Sequence, residues 1–159
     1  MQKPPHRPRI AISLELDQGF KRHQESYAGC HQYADAAGWH CTIEPAIDRV
    51  LMESRGSIPF DGILARATPE IAKAARKKKV PLVNIWLNSP VQELPSVFPD
   101  FEGSGVLAAE HLLARGFRHL AYLGYRSDID SRLQSEGMRK VTRRENCNLT
   151  THRFSRTSM

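Results

Sequence analysis

Apolar and polar residues change their spacing repeatedly along the chain of 159 residues. Short apolar or β-branched runs predict buried strands at 9–16, 60–65, 80–87 and 118–124, and alternation at 39–43 predicts a more exposed strand. Between these strands, apolar residues at helical spacing predict helices at about 27–37, 69–79, 102–115 and 130–144. Strands that alternate with helices over short connections predict an α/β fold, with a parallel sheet flanked by helices on both faces.

Capping residues mark where these helices begin and end. Thr68 and Asp100 stand just before two predicted helices, where their side-chain oxygens can accept a hydrogen bond from the first turn. Gly38 and Gly116 follow predicted helices, at the position where a residue tolerant of positive φ commonly ends a helix. These signals predict the helix boundaries independently of the apolar spacing.

The composition predicts a folded domain, since 40% of the residues are hydrophobic. The sequence lacks both an apolar stretch of roughly 18 residues and the apolar run of a signal peptide, so we expect a cytoplasmic protein with no membrane partner. The three cysteines are odd in number and have no CxxC spacing. They predict reduced thiols rather than a disulfide framework or a zinc site.

The net charge of +6 is concentrated at one end of the chain. Residues 1–136 hold 17 Lys and Arg against 16 Asp and Glu, whereas residues 137–159 hold six against Glu145 alone. A nucleic-acid module built on this basic tail is one hypothesis, although the tail lacks interleaved aromatic residues. The last dozen or so residues show little periodicity, which predicts a frayed end or the start of a further structural unit.

Polar and aromatic residues follow several of the predicted strands. Open parallel sheets bind ligands outside the carboxyl ends of their strands, so these residues are candidates for a site. Charged and amide groups suit sugar hydroxyls, and an aromatic ring suits the C–H face of a sugar. The sugar-binding candidates are Glu15, Asp17, Phe20, Arg66, Trp86, Asn88, Asp100, Arg132 and Gln134.

A glycine pattern offers an alternative function. Residues Gly103 to Ala108 match the G-x-G-x-x-G/A dinucleotide fingerprint, and Asp128 follows at a suitable distance. Against this, the apolar residues before the pattern, Val97 and Phe98, make only a weak strand, which Pro99 interrupts. Asp100 and Glu102 would also lie beside the negatively charged pyrophosphate at the start of the helix. A nucleotide-binding α/β enzyme is therefore the alternative to a sugar sensor.

No other pattern indicates an enzyme. The seven histidines form no metal-binding spacing, and no serine lies in a G-x-S-x-G elbow. We expect no metal, no cofactor and no catalytic residue.

The stretch FPDFEGSGVLAAEHLLARGFRHLAYLGYRSD resembles a passage shared by lactose-repressor-type regulators and periplasmic sugar-binding proteins, and VPLVNIWLNSP resembles the strand before it. The similarity runs from about Arg9 to Val141. Only eight residues precede the first predicted strand, an order similar to that of regulators of bacterial xylose operons, whose DNA-binding helices come last.

The resemblance implies a cytoplasmic sensor with two lobes that close on a sugar, which would be D-xylose or a related pentose. It also implies that two copies of the sensor form a homodimer. It implies an N-terminal arm at 1–8, a first lobe at 9–128, and at 129–159 a crossover helix with either a truncated second lobe or a frayed basic tail. The chain would then be a fragment of a transcription regulator, with operator DNA bound only by a domain outside it.

Some positions depart from the family pattern. Trp86 stands where many relatives have an aspartate, and Phe101 where an asparagine is common. Gln134 occupies the usual position of a ligand arginine, and Arg132 lies two residues earlier. The resemblance assigns a sugar contact to Asp100 most directly, and it matches the first-loop residues Glu15, Asp17 and Phe20 by place more than by identity.

Overall fold

The computed structural model describes residues 6–16 and 21–155. Its elements are, in order, β1 (Arg9–Ser13), α1 (Lys21–Ala37), β2 (His40–Ile43), α2 (Ile47–Glu53), β3 (Gly62–Ala65), α3 (Pro69–Lys78), β4 (Leu82–Asn84), α4 (Phe101–Ala114), β5 (His119–Tyr125), α5 (Ile129–Arg144) and β6 (Asn148–Phe154). The chain divides into two compact units, Met1–Val97 and Phe98–Met159. The boundary predicted at residue 128 falls inside the second unit.

The first unit is built on a parallel sheet with the strand order β2-β1-β3-β4. The chain moves from β1 to β2 in one direction and from β2 to β3 in the other. Right-handed crossovers therefore place α1 on one face of the sheet, and α2 and α3 on the opposite face. This arrangement confirms the predicted fold class.

The core of the first unit lies between the sheet and the helices α2 and α3. Ala11 and Ile63 on neighbouring strands are in register and point to the same face. They pack in one cluster with Ile47 and Leu51 of α2 and with Ile71 of α3, and Ile47 and Leu51 are fully buried. Burial of such side chains contributes roughly 1.5–3 kcal/mol each, and this stabilisation fixes the sheet that carries the candidate site.

The predicted caps are present. Thr68 Oγ1 accepts a hydrogen bond of 3.3 Å from the Ile71 N–H at the start of α3, and Asp100 caps α4. Gly38 and Gly116 have φ values of +70° and +88°, which confirms why glycine follows α1 and α4.

The second unit pairs β5 with β6 in a parallel sheet and packs α4 against α5. Its core contains Ala109 of α4, Leu120 of β5 and two residues of α5, Met138 and Val141. Strand β6 lies in the segment predicted either to fray or to begin a further structural unit, and its residues 148–154 are ordered in the sheet, where Leu149 alternates with exposed neighbours and packs against this core. Too few apolar residues mark this alternation for the sequence to reveal it.

The run 80–87 forms only the three-residue strand β4, which is much shorter than its continuous apolarity predicts. The side-chain oxygen of Asn84 accepts a hydrogen bond of 2.9 Å from the Trp86 N–H. A local side-chain bond of this kind competes with ladder pairing, and the strand ends there.

Candidate functional site

The candidate site of the first unit lies at the carboxyl ends of β1 and β3. These strands are neighbours in the sheet, but the chain leaves β1 towards β2 on the other side. The direction of winding therefore reverses between β1 and β3, and open α/β sheets bind ligands outside the strands at such a switch point. Glu15 follows β1 and Arg66 follows β3, so both lie at this position.

Glu15, Arg66 and Trp86 form one cluster at the switch point. Arg66 Nη1 lies 3.3 Å from Glu15 Oε2, and the Arg66 guanidinium carbon lies 4.8 Å from the centre of the Trp86 ring. The side chains of Arg66 and Glu15 are 31% and 53% exposed, so both reach solvent. Three residues from three separate loops, each predicted to contact a sugar, are thus neighbours.

Buried Asn84 positions two of these loops. Its side-chain oxygen accepts hydrogen bonds from the Ala67 N–H at 3.2 Å and the Trp86 N–H at 2.9 Å, and its amide donates to the Trp86 carbonyl at 3.0 Å. Ser89 adds a second link, because its hydroxyl donates to the Ala67 carbonyl at 2.6 Å. Sequence reasoning missed both residues. The only signal for Asn84 was an amide inside an otherwise apolar run.

The loop after β1 is held by a histidine. His23 of α1 is buried, and its Nδ1 lies 3.0 Å from the Glu15 carbonyl oxygen. This contact fixes the backbone from which the Glu15 side chain extends. Asn88 is half-buried in the loop after β4. Asp17 and Phe20 lie outside the described residues.

The chemistry of the Glu15–Arg66–Trp86 cluster suits a polar, uncharged ligand. The carboxylate accepts hydrogen bonds, the guanidinium donates several in a fixed fork, and their charges compensate each other. The indole offers a flat apolar face beside them. Hydroxyl groups and a C–H face can therefore be recognised at one place.

In the second unit, Asp100 is exposed and caps α4. Its Oδ1 accepts a hydrogen bond of 2.8 Å from the Gly103 N–H. A carboxylate has about four acceptor positions, so this cap leaves capacity for another donor.

Arg132 and Gln134 lie on α5, and each has a partner within the second unit. Arg132 Nη1 is 3.1 Å from Glu136 Oε1, one helical turn away. Gln134 Oε1 accepts a hydrogen bond of 2.9 Å from the Tyr122 hydroxyl.

The glycines of the dinucleotide pattern have structural roles. A Cβ on Gly103 would overlap the Asp100 carboxylate that caps α4, and a Cβ on Gly105 would overlap the backbone carbonyl of Gln134 on α5. Residues 97–100, which precede α4, form no strand. Both glycines are thus explained without a pyrophosphate, and the fingerprint lacks its strand. The structure does not favour the nucleotide-binding alternative.

The described residues contain no group of three or more His, Cys, Asp or Glu side chains placed to hold a metal ion. Within the same residues, no helix is long and apolar enough to cross a membrane. Burial raises the pKa of the Cys30 thiol. The pKa of the Cys41 thiol is raised mainly by burial, and also by the nearby Cys30 and Asp35 side chains. A thiol with a raised pKa is a weak nucleophile at neutral pH.

No protein-family model matches the chain. GntR of Escherichia coli K12, described as an HTH-type transcriptional regulator, is 28% identical over 122 residues, which are 71% of this chain and 37% of that protein. A periplasmic binding protein/LacI transcriptional regulator from Alkaliphilus metalliredigens QYMF, complexed with D-xylulofuranose, matches with a TM-score of 0.62 and 16% identity, covering 97% of this chain and 59% of that one.

A LacI family transcriptional regulator from Enterococcus faecium with bound ribose matches with a TM-score of 0.66 and 16% identity, covering 94% of this chain and 58% of that chain. The chain therefore spans less than two thirds of the length of each of these relatives. The structural likenesses show that it has the α/β fold of LacI-type regulators and periplasmic binding proteins. The three relatives are described as regulators rather than as enzymes.

Proposed function

We propose that this chain is the ligand-sensing part of a cytoplasmic, sugar-responsive transcription regulator of bacteria, and that it catalyses no reaction. The observation that carries the proposal is the Glu15–Arg66–Trp86 cluster at the switch point of the sheet. The relatives support it, because two regulators of the same fold hold a five-carbon sugar, ribose or D-xylulofuranose. The effector proposed here is D-xylose or a related pentose.

The remaining predicted contacts are part of the same proposal. Asn88 contacts the sugar from the first unit. Asp100, Arg132 and Gln134 contact it from the second unit, each through a side chain that also bonds to a partner within the chain. The beginning of a second lobe lies within the second unit, after residue 128, and the uncovered face of the parallel sheet in this unit, which such sheets normally bury, supports this. Operator DNA is read by a domain outside this chain, and the regulator is a homodimer.

Sugar binding by the chain alone should be weak. A sugar enclosed by two complete lobes draws hydrogen bonds from both, and this chain spans 59% of the xylulofuranose-bound relative. If only three net hydrogen bonds at roughly 1 kcal/mol each are lost, affinity falls by more than about a hundredfold. A micromolar regulator would then become sub-millimolar at best, so binding must be measured at millimolar sugar concentrations.

Nuclear magnetic resonance with increasing concentrations of pentoses and hexoses tests the proposal. We expect a pentose to shift the Trp86 indole and Arg66 side-chain signals, and Arg66→Ala to abolish the shift at Trp86. Arg49→Ala, on the exposed side of α2, is the matched control and should keep it. If no sugar shifts these signals, or if a dinucleotide binds instead, the proposed function is wrong.

A further inference from the structure

The amino ends of the strands in the first unit carry a set of cations that sugar sensing does not use. Helix α3 starts after the carboxyl end of β3 and ends just before β4. Its last turn therefore lies at the amino edge of the sheet, by which we mean the end at which the parallel strands begin. Arg9 at the start of β1 lies at the same edge. The basic strip, as we call this surface, comprises Arg9, Arg55, Arg76, Lys77, Lys78 and Lys79.

The segment 54–61 joins the two ends of the basic strip. Lys78 Nζ donates to the Ser54 carbonyl at 2.7 Å, which fixes the end of α3 beside the segment. Arg9 Nη2 donates to the Ile58 carbonyl at 3.2 Å, and the Arg9 N–H donates to Asp61 Oδ2 at 2.8 Å. Lys78 of α3 and Arg9 of β1 thus lie beside the two ends of this segment, which itself carries Arg55.

Most of the strip is not neutralised. Arg55, Arg76, Lys77 and Lys79 are exposed, and none of them forms an ion pair with a carboxylate of the described residues. Of the cations in the strip, Arg9 alone has a carboxylate partner among the described residues, since its Nε lies 3.5 Å from Asp61 Oδ2.

Cations in the last turn of a helix favour its dipole, which accounts for Arg76, Lys77 and Lys78. The dipole does not account for Arg55, which comes from a different segment but extends the same surface. The excess of positive charge therefore belongs to the edge of the unit rather than to one helix end.

We propose that the basic strip binds the phosphate backbone of duplex DNA without reading its sequence. The segments 54–57 and 76–79 consist of serine, glycine, lysine and arginine alone. Protein interfaces are depleted of lysine at their core, and membrane-bound helices need apolar anchors, so neither partner fits this composition. Phosphate contacts need only accessible cations.

This inference goes beyond the proposed function, because the strip and the Glu15–Arg66–Trp86 cluster lie at opposite edges of the sheet. It adds a direct DNA contact to a lobe that otherwise senses a ligand. Contacts of this type give non-specific dissociation constants of about 10⁻⁴–10⁻⁶ M at physiological salt and weaken steeply as salt rises.

Binding of the whole chain to a short duplex of arbitrary sequence, measured by filter retention over a series of salt concentrations, tests the inference. The test variant is Arg55→Gln/Lys77→Gln/Lys79→Gln, and the control is Arg126→Gln/Arg143→Gln/Arg153→Gln, which removes the same charge from exposed positions of the second unit. We expect the test variant to lose at least about tenfold in affinity at low salt and to reduce the slope of log K against log salt by about three. The control should stay within about twofold of wild type by the same reasoning.

Circular dichroism establishes that both variants are folded before the comparison is made. Equal losses in the two variants would show that net charge alone drives binding, and would overturn the inference. So would the absence of duplex binding at low salt, or binding to phosphatidylserine vesicles without binding to DNA. The pentose shifts at Trp86 should be unchanged in the test variant, so the two proposals can fail separately.

Discussion

At the scale of single residues, two glycines allow the backbones of α4 and α5 to come into contact. A Cβ on Gly105 would overlap the Gln134 carbonyl, and a Cβ on Gly137 would overlap the Glu102 carbonyl. Both overlaps involve backbone, which cannot move aside as a flexible side chain can. Close helix packing in the second unit therefore depends on these two positions.

We predict that Gly105→Ala destabilises the second unit by roughly 1–3 kcal/mol, the usual cost of overpacking. The control is Gly29→Ala on α1, where an added Cβ meets nothing within 4 Å. That change should stabilise the chain by up to about 1 kcal/mol, because alanine is the better helix former. Urea unfolding followed by amide hydrogen exchange measures both effects, and similar results for the two variants would refute the packing argument.

A second prediction concerns Asp61 and acid. The hydrogen bond from the Arg9 N–H, assisted by His6, lowers the pKa of Asp61. The stabilisation is therefore present above the unfolded pKa of about 4 and is lost as pH falls through the lower folded pKa. The Asp61 side chain is one-third exposed, so water screens its interactions with Arg9 and His6. Asp61→Asn should therefore lower the free energy of unfolding by less than about 1 kcal/mol at neutral pH.

The cost of Asp61→Asn should shrink further at acidic pH, where the wild-type carboxyl is itself protonated. Urea unfolding at pH values on both sides of the transition measures this. Glu93→Gln, which removes the same charge from an exposed position without an ion pair among the described residues, is the control. A loss from Asp61→Asn that is the same at every pH would contradict the linkage.

Individual site residues were predictable to different degrees. The position of Glu15, Arg66 and Trp86 at or just after the carboxyl ends of apolar runs was enough to place them at one end of the sheet. Asn84 was not predicted, because its role depends on hydrogen bonds to two loops that are distant in sequence. Gly103 and Gly105 fit a nucleotide motif in the sequence, whereas in the structure Gly103 makes room for the Asp100 cap of α4 and Gly105 for the backbone of α5.

At the scale of elements, β6 offers a direct test of its pairing. The Asn148 N–H donates to the Arg118 carbonyl, and the Phe154 carbonyl accepts from the Arg126 N–H. In a parallel ladder alternate residues bond to the same neighbour, so Thr150 bonds to β5 whereas the N–H of Thr151 points to the outer edge.

We predict that Thr150→Pro disrupts the sheet of the second unit and that Thr151→Pro is tolerated better, since proline is compatible with an outward-facing N–H. Loss of the ladder bond and strain at Thr150 should cost about 3 kcal/mol, by analogy with proline inside a helix. Hydrogen exchange of the β5 amides is the appropriate measurement. Equal protection in the two variants would mean that β6 is not paired in this register.

Elements that contain several regularly spaced apolar residues were predicted well, whereas elements with few apolar residues were not. Helices α3 and α4 have both apolar spacing and a capping residue, so two independent signals agreed. Strand β6 carries only Leu149 as a half-buried apolar anchor, and its stability comes from pairing with β5, which no local pattern reports. Strand β4 was overestimated because its run of apolar residues includes the turn held by Asn84.

At the scale of the whole molecule, one face of the β5–β6 sheet is exposed, and its carboxyl end is apolar. Leu123, Tyr125 and Phe154 are 65%, 47% and 54% exposed, and Tyr125 and Phe154 are directly opposite each other in the ladder. Parallel sheets are normally covered on both faces, and exposed apolar patches promote association.

We therefore predict that the chain self-associates through this face as its concentration rises. Leu123→Glu should weaken association at least about tenfold, because a buried unpaired carboxylate is costly. Leu107→Glu is the control, since Leu107 is 67% exposed on α4 and should have no effect. Sedimentation velocity distinguishes these outcomes, and a wild-type chain that remains monomeric at every concentration would contradict the prediction.

The stacking of Arg66 on Trp86 gives the molecule an optical probe of its own site. The chain has two tryptophans, and the second, Trp39, contacts Tyr33 at a ring separation of 5.5 Å. Replacing Trp39 with phenylalanine would leave Trp86 as the sole indole emitter, beside a guanidinium 4.8 Å from its ring centre. Any ligand that displaces this cation changes the emission of Trp86, so occupancy can be followed by light without attaching a label.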